Sequence, residues 1–200
     1  MSVDRSFFYF FSRERLAATP WKNGGGSTRE VACWPRGASF DNFLWRVSIA
    51  TIAQGGPFSV FEGIDRQIML LDGDGVQLRS ADGGVDHRLD RPNQPFAFTG
   101  DAAIDCTLLG GTSNDFNVMT RRGRCSAELR VIDSAADVAP CAHGLLYALE
   151  GQWSLAQGES IAKGEGVWWG DKMQGWQVQP QTEGALLLAV RFTIIESDKA

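Results

Sequence analysis

Histidine is scarce in this chain: His87 and His143 are the only two among two hundred residues. Neither stands in a His-x-His or His-Glu-x-x-His setting, so a histidine-rich metal centre is excluded on inventory, and no metal or other cofactor is expected. Cysteine is nearly as thin. Cys33, Cys106, Cys125 and Cys141 are far apart and form no Cys-x-x-Cys pair, which argues against a zinc site and reads as dispersed thiols of a reduced compartment. The longest apolar run, Ala185 to Val190, is too short to span a bilayer. The residues after Met1 carry neither the basic nor the long apolar region of a secretory signal. The expectation is a cytoplasmic protein without a membrane partner.

Concentrated positive charge is also missing. Nineteen Lys and Arg stand against twenty-four Asp and Glu, a net charge of −5, which makes nucleic acid a poor candidate partner. The one basic cluster, Arg121, Arg122 and Arg124, is broken by Gly123 and reads as a hairpin turn with solvated charges. No Gly-x-Ser-x-Gly elbow is present, which weakens a serine-hydrolase reading. His87 and His143 read as surface residues rather than general bases.

What the chain does have is aromatic side chains, glycine and short β-favouring runs. Seven Trp and twelve Phe among twenty-three Gly suggest aromatic packing between sheets and an aromatic-lined pocket. Runs at Phe7–Phe11, Thr28–Cys33, Leu44–Ile52, Gln67–Leu71, Val76–Arg79, Phe96–Phe98, Ile104–Leu109, Phe116–Thr120 and Ala127–Ile132 end in turn residues, the pattern of an all-β sandwich or barrel. Only Ser12–Ala18 has helix-forming composition. A weak repeat pairs Leu70–Leu78 with Ala148–Leu155, each a strand, an acidic residue, a glycine turn and a strand. Each copy is followed by an aromatic strand ending in Gly-Asp, at Phe96–Asp101 and Val167–Asp171. Two related β units follow, with Ser134–His143 as the predicted connector.

Three segments carry candidate binding residues. Trp21-Lys22-Asn23-Gly24-Gly25-Gly26 sets a ring, a cation and an amide beside glycines whose N–H groups could turn toward an anion; a plain turn is the alternative. The lysine precedes the glycines, so the order of a phosphate loop is missing. Strand Leu44–Ile52 alternates, placing Arg46 and Ser48 on the face opposite Trp45, Val47 and Ile49. That face is either solvent or the lining of a barrel mouth, where Arg46 could fork onto a carboxylate. The long connection from Gly55 to Arg66 holds Phe58 and Phe61, which need burial, so it is expected to fold back over something. Asp65 and Arg66 point to opposite faces, and Arg66 is preferred as a ligand contact. Finally Asp115, Asn117 and Met119 share one strand face and either line a pocket or cap a turn.

Four motifs in order, Pro20–Glu30, Trp45–Ala50, Gly56–Ser59 with Asp65-Arg66, and Asp115–Arg121, resemble the HutD/Ves family. The likeness runs through most of the chain. It implies a bicupin, two cupin-type β-barrels of the jelly-roll kind in one compact chain, with halves at about 1–125 and 126–200. It also implies a pocket without the histidines of metal-dependent cupins. Family members are often encoded among genes for histidine degradation, where a tempering role through binding of an intermediate has been proposed; other relatives are linked to stress response.

The leading expectation is therefore a binder of a small carboxylated metabolite, such as N-formylglutamate or urocanate. Its candidate contacts are Trp21, Lys22, Asn23, Arg46, Ser48, Phe61, Arg66, Asp115, Asn117 and Met119. A metal-independent enzyme using Asp65 or Asp115 as acid or base is an alternative. A structural or interaction protein presenting Trp168 or Trp169 is another, and a homodimer is left open.

Overall fold

A computed structural model of the chain describes residues 7–195. Among the described residues are nineteen β-strands and a short 3-10 turn at Ala156–Gly158. The strands gather into two compact units. The strand β1 (Phe8–Ser12) belongs to the second of them. The first unit, Ala17–Arg124, holds β2 (Ala18–Pro20), β3 (Gly26–Trp34), β4 (Trp45–Ile52), β5 (Gly56–Pro57), β6 (Ile64–Gly73), β7 (Val76–Ser80), β8 (Asp86–Leu89), β9 (Phe96–Thr99), β10 (Ile104–Leu108) and β11 (Ser113–Arg121).

Within that unit a six-stranded antiparallel sheet runs β2-β3-β4-β11-β6-β9, and a four-stranded sheet runs β5-β10-β7-β8. Residues opposite one another across an antiparallel pair share a face. The register therefore forms rows across β4, β11 and β6: Arg46–Met119–Arg66, Ser48–Asn117–Ile68 and Ala50–Asp115–Leu70. The lower part of this face meets the four-stranded sheet, where Ile52, Ile68 and Leu70 pack on Val76, Leu78, Ile104 and Cys106. Trp45, Val47, Ile49, Met69, Phe116 and Val118, on the other face, are buried as well. Neither face of the central strands meets solvent, and the polar set of β4 is interior.

The second unit adds to β1 the strands β12 (Cys125–Ile132), β13 (Ala136–Cys141), β14 (His143–Glu150), β15 (Gln152–Leu155), β16 (Ser160–Ala162), β17 (Glu165–Trp169), β18 (Gln174–Pro180) and β19 (Leu186–Ile194). Its sheets run β12-β19-β14-β17-β1 and β13-β18-β15-β16. Four strands of the larger sheet, β12-β19-β14-β17, and all four of the smaller repeat the order of β4-β11-β6-β9 and β5-β10-β7-β8, with β14 in the place of β6 and β15 in the place of β7; β1 on one side and β2 and β3 on the other have no counterpart. The sequence repeat thus marks equivalent crossings from one sheet to the other. Both crossings use glycine at positive φ, Gly73 at +98° and Gly151 at +72°. A Cβ would lie 2.2 Å from the Thr112 carbonyl oxygen in the first and 2.3 Å from Thr182 Oγ1 in the second.

The interiors differ. In the second unit Trp153, Trp169 and Trp176 fill the core together with Phe8, Leu146, Ala148 and Leu187. The Trp169 ring needs a bare backbone beside it, since a Cβ on Gly144 would fall 2.3 Å from Trp169 Cζ2.

Four expectations are corrected by these strands. Ser12–Ala18 forms one turn, with the Arg15 and Leu16 N–H groups both donating to the Ser12 carbonyl, before Ala18 enters β2; seven residues leave little room for helix between two paired strands. Ser134–His143 is chiefly β13, not a connector. Pro140 misled there, yet it sits within the register shift between Val138 and Cys141 on an edge strand, where a missing N–H is tolerated. A division at 125 also omits β1, which pairs with β17. Trp168 and Trp169 are buried rather than outward, Trp168 stacking on Tyr9 at 4.2 Å between ring centroids.

The clearance at Gly144 predicts that Gly144→Ala overpacks the second unit and lowers stability by about 1–3 kcal/mol. Chemical denaturation would show this as a lower midpoint with an unchanged slope.

Candidate functional site

The upper part of the inner face in the first unit lines a cavity of about 780 Å³. From β4 come Arg46, Ser48, Ala50 and Ile52; from β11, Asn117 and Met119; from β6, Arg66; from β3, Thr28 and Glu30. The connection after β5 does fold back, placing Phe58 and Phe61 in the wall, and Phe40 joins them from the segment before β4. Trp21, Lys22 and Asn23 line it as well.

Arg66 is the centre of this arrangement. It is 8% exposed, and its guanidinium lies 4.8 Å from the Phe98 ring centroid, 5.4 Å from Phe58 and 5.6 Å from Phe61. Its Nη2 donates to Asn117 Oδ1 at 2.8 Å, while Nε has no hydrogen-bond partner. No carboxylate pairs with it among the described residues. Burial lowers its pKa to about 10, and the nearby Arg46 charge adds to the effect. A cation held in this way gains more from an incoming anion than one already paired in water.

Arg46 is anchored differently. Its Nε donates to Glu30 Oε2 at 2.8 Å, Nη1 lies 3.4 Å from Ser48 Oγ and 3.9 Å from Met119 Sδ, and the Phe40 ring centroid is 4.9 Å from its guanidinium carbon. Lys22 lines the same cavity from the loop between β2 and β3.

Nine of the ten candidate contacts therefore meet at one cavity: Trp21, Lys22, Asn23, Arg46, Ser48, Phe61, Arg66, Asn117 and Met119. Asp115 does not line it. It is fully buried one row below Asn117, between Ala50 and Leu70, and neither carboxylate oxygen has a hydrogen-bond partner. Asp65 points away, paired with Arg122 at 2.7 Å. Neither carboxylate weighed as an acid or base reaches the cavity.

The glycine loop forms a closed turn rather than an anion nest. Gly24 N–H donates to the Trp21 carbonyl and Gly25 N–H to Asn23 Oδ1, so these groups are consumed locally. The loop contributes its side chains instead, with Trp21 Nε1 fixed to Thr28 Oγ1 at 2.8 Å. Gly26 permits this approach, since a Cβ there would fall 3.0 Å from the Trp21 ring and 2.2 Å from the Thr51 carbonyl oxygen.

Other charged residues serve the scaffold. Arg121 donates to the carbonyls of Phe43 and Asp41, and Arg122 pairs with Asp65 and Asp101. Their turn joins strands of different sheets and is not a hairpin. His143, expected at the surface, is buried on β14, with Nε2 3.3 Å from Asp171 Oδ1. His87 is half-buried and stacks on Phe96. The four cysteines are free and buried, and no group of three or more His, Cys, Asp or Glu able to hold a metal ion occurs among the described residues.

Among the lining residues missed from sequence are Glu30, Thr28 and Phe40. A register shift between Glu30 and Ala32 sets Glu30 opposite Ser48, and simple alternation gives no sign of it.

A repeated two-sheet jelly-roll with a ligand-sized cavity in the first copy defines a cupin-type protein. The likeness to the bacterial pirin YhhW from Escherichia coli, at 10% identity and a TM-score of 0.60 over 92% of this chain and 98% of that one, is one of fold alone. The HutD family model matches residues 13–188, and the chain belongs to the HutD family. It is 39% identical to Protein Ves from Cronobacter sakazakii (strain ATCC BAA-894) over 80% of this chain and 86% of that protein. A conserved protein of unknown function from Pseudomonas aeruginosa PAO1 superposes with a TM-score of 0.83 at 33% identity, covering 94% of this chain and 99% of that one. HutD from Pseudomonas fluorescens SBW25 (formate condition) gives 0.80 at 29%, covering 94% and 98%.

Asp115 generates a prediction on stability. Burial, and then the Asp72 charge, push its carboxyl up from 3.8 to about 7. The folded state thus binds this proton more tightly than the unfolded chain does. Its contribution is fully present below about pH 4 and is lost as pH rises to about 7, at a cost of up to about 4 kcal/mol. Asp115→Asn should accordingly raise the melting temperature relative to the native chain more at pH 8 than at pH 5; melts at the two values check the sign.

Proposed function

We propose that this protein binds a small carboxylated metabolite in the cavity of residues 17–124. Arg66 carries the reading: a buried guanidinium with no carboxylate partner among the described residues and an unused Nε faces an aromatic-walled space. A ligand carboxylate supplies the missing countercharge, and Asn117 holds Oδ1 on Arg66 so that the guanidinium stays oriented. Arg46 and Lys22 extend the positive field, while Trp21, Phe40, Phe58 and Phe61 offer faces to the body of the ligand. The same chemistry favours binding over turnover, because the acid–base candidates Asp65 and Asp115 lie outside the cavity.

Family membership directs the choice of metabolite toward intermediates of histidine utilisation, N-formylglutamate and urocanate. In this reading the protein tempers the pathway by holding an intermediate in the cytoplasm. Isothermal titration tests it. Saturable heat is expected from at least one of the two, and Arg66→Met, which keeps a buried stem without the charge, should weaken binding by roughly tenfold to a hundredfold. Absence of saturable heat from both compounds, or equal affinity in Arg66→Met, would sink the proposal.

A further inference from the structure

The cavity is long in the direction of β4. Arg46, Ser48, Ala50 and Ile52 are successive inward residues of that strand and all line it; at about 6.8 Å for every second residue, they cover about 20 Å. The two ends differ in chemistry. At one stands the row Arg46–Met119–Arg66, where Glu30 takes Arg46 Nε and Arg46 Nη2 donates to no described residue. At the other, Ala50 and Ile52 lie opposite Thr28 and Gly26 of β3. Trp21 covers these lower rows: its Nε1 donates to Thr28 Oγ1 at 2.8 Å, and a Cβ on Gly26 would meet its ring at 3.0 Å. Pro57 and Phe58 line the cavity too, and Trp21 and Phe58 pack on the apolar cluster that contains Ile52. Hydrogen-bonding atoms at this end are matched to one another, Trp21 Nε1 with Thr28 Oγ1 and Asn23 Oδ1 with the Gly25 N–H.

We infer that the end between Trp21 and Ile52 is an acyl-chain subsite: the cavity takes an N-acylated acidic amino acid whose carboxylates meet the guanidinium row and whose acyl chain runs along β4 toward Trp21, Pro57 and Phe58. The inference rests on the carboxylate-binding reading of the same cavity and extends it. Two carboxylates suit the cationic end, because Arg66 has no carboxylate partner among the described residues and Glu30 offsets only one of the charges. A formyl group then places a single carbon beyond them, which reaches little of the lower rows. A longer chain passes from water onto apolar walls whose polar atoms are already satisfied, and each methylene so buried adds about three- to fourfold in affinity. The volume agrees, since about 780 Å³ lies within the range of sites for drug-sized ligands rather than at its lower limit.

The test compares N-formyl-L-glutamate with N-butanoyl-L-glutamate, which share both carboxylates and differ only in the length of the acyl chain. Titration of the native protein should give at least tenfold tighter binding of the butanoyl compound. Ala50→Leu, which fills this end of the cavity, should bring the ratio of the two affinities close to one. Trp21→Ala, which removes the facing wall, should lower the ratio at least threefold and serves if thermal melts show that the first variant does not fold. Equal affinities in the native protein, or an unchanged ratio in the folded variant, overturns the acyl subsite. In either case, weaker binding of N-formyl-L-glutamate by Arg66→Met leaves the carboxylate reading standing. Saturable binding of the butanoyl compound alone is the expected result at its limit, and no saturable binding of either compound overturns both readings.

Discussion

A positive charge withdrawn from water is the constraint on which the cavity depends. An isolated guanidinium in a protein interior is costly unless dipoles, rings or an anion replace its hydration. Arg66 has Asn117 on one edge and the faces of Phe58, Phe61 and Phe98 around it, and these come from three separate parts of the first unit. Each favours the cation without neutralising it. The fold of the Gly55–Arg66 connection follows from this requirement as much as from the burial of phenylalanine, because its rings cover apolar surface and a cation together.

The two units show what side chains, rather than topology, decide. Both share the order of eight core strands and the same glycine crossings between sheets. One fills its interior with three tryptophans around Leu146, Ala148 and Leu187, and the other places two arginines, a serine and an asparagine at comparable depth above a smaller apolar layer. A close-packed aromatic core is self-sufficient. An interior lined with hydrogen-bonding groups needs an occupant or solvent to satisfy them. The duplication of the barrel does not extend to the chemistry.

Much of this was legible in the residues. Alternation on β4 located Arg46 and Ser48 on one face, and the shared face of Asn117 and Met119 gave two more members of the cavity. What alternation could not supply was irregularity. The shift between Asn114 and Asp115 in the β6 pairing and the one after Glu30 fall beside the two acids that alternation does not place, one sealed below the cavity and the other lining it. Consecutive glycines permit a backbone grip at the Trp21–Gly26 loop, but the N–H groups of Gly24 and Gly25 close on their own turn. The assignment of β1 to the second unit depends on a pairing across most of the chain, which no local pattern encodes.

That last pairing bears on how the molecule is made. During synthesis β1 emerges more than a hundred and fifty residues before its partner β17. In the interval the sheets of residues 17–124 can complete themselves, while Phe8, Phe10 and Phe11 wait on a strand with no edge to join. An aromatic strand held open for so long is the segment most exposed to wrong pairing with another nascent chain. The edge of β17 is thus offered to β1 only after every strand of residues 17–124 has been made.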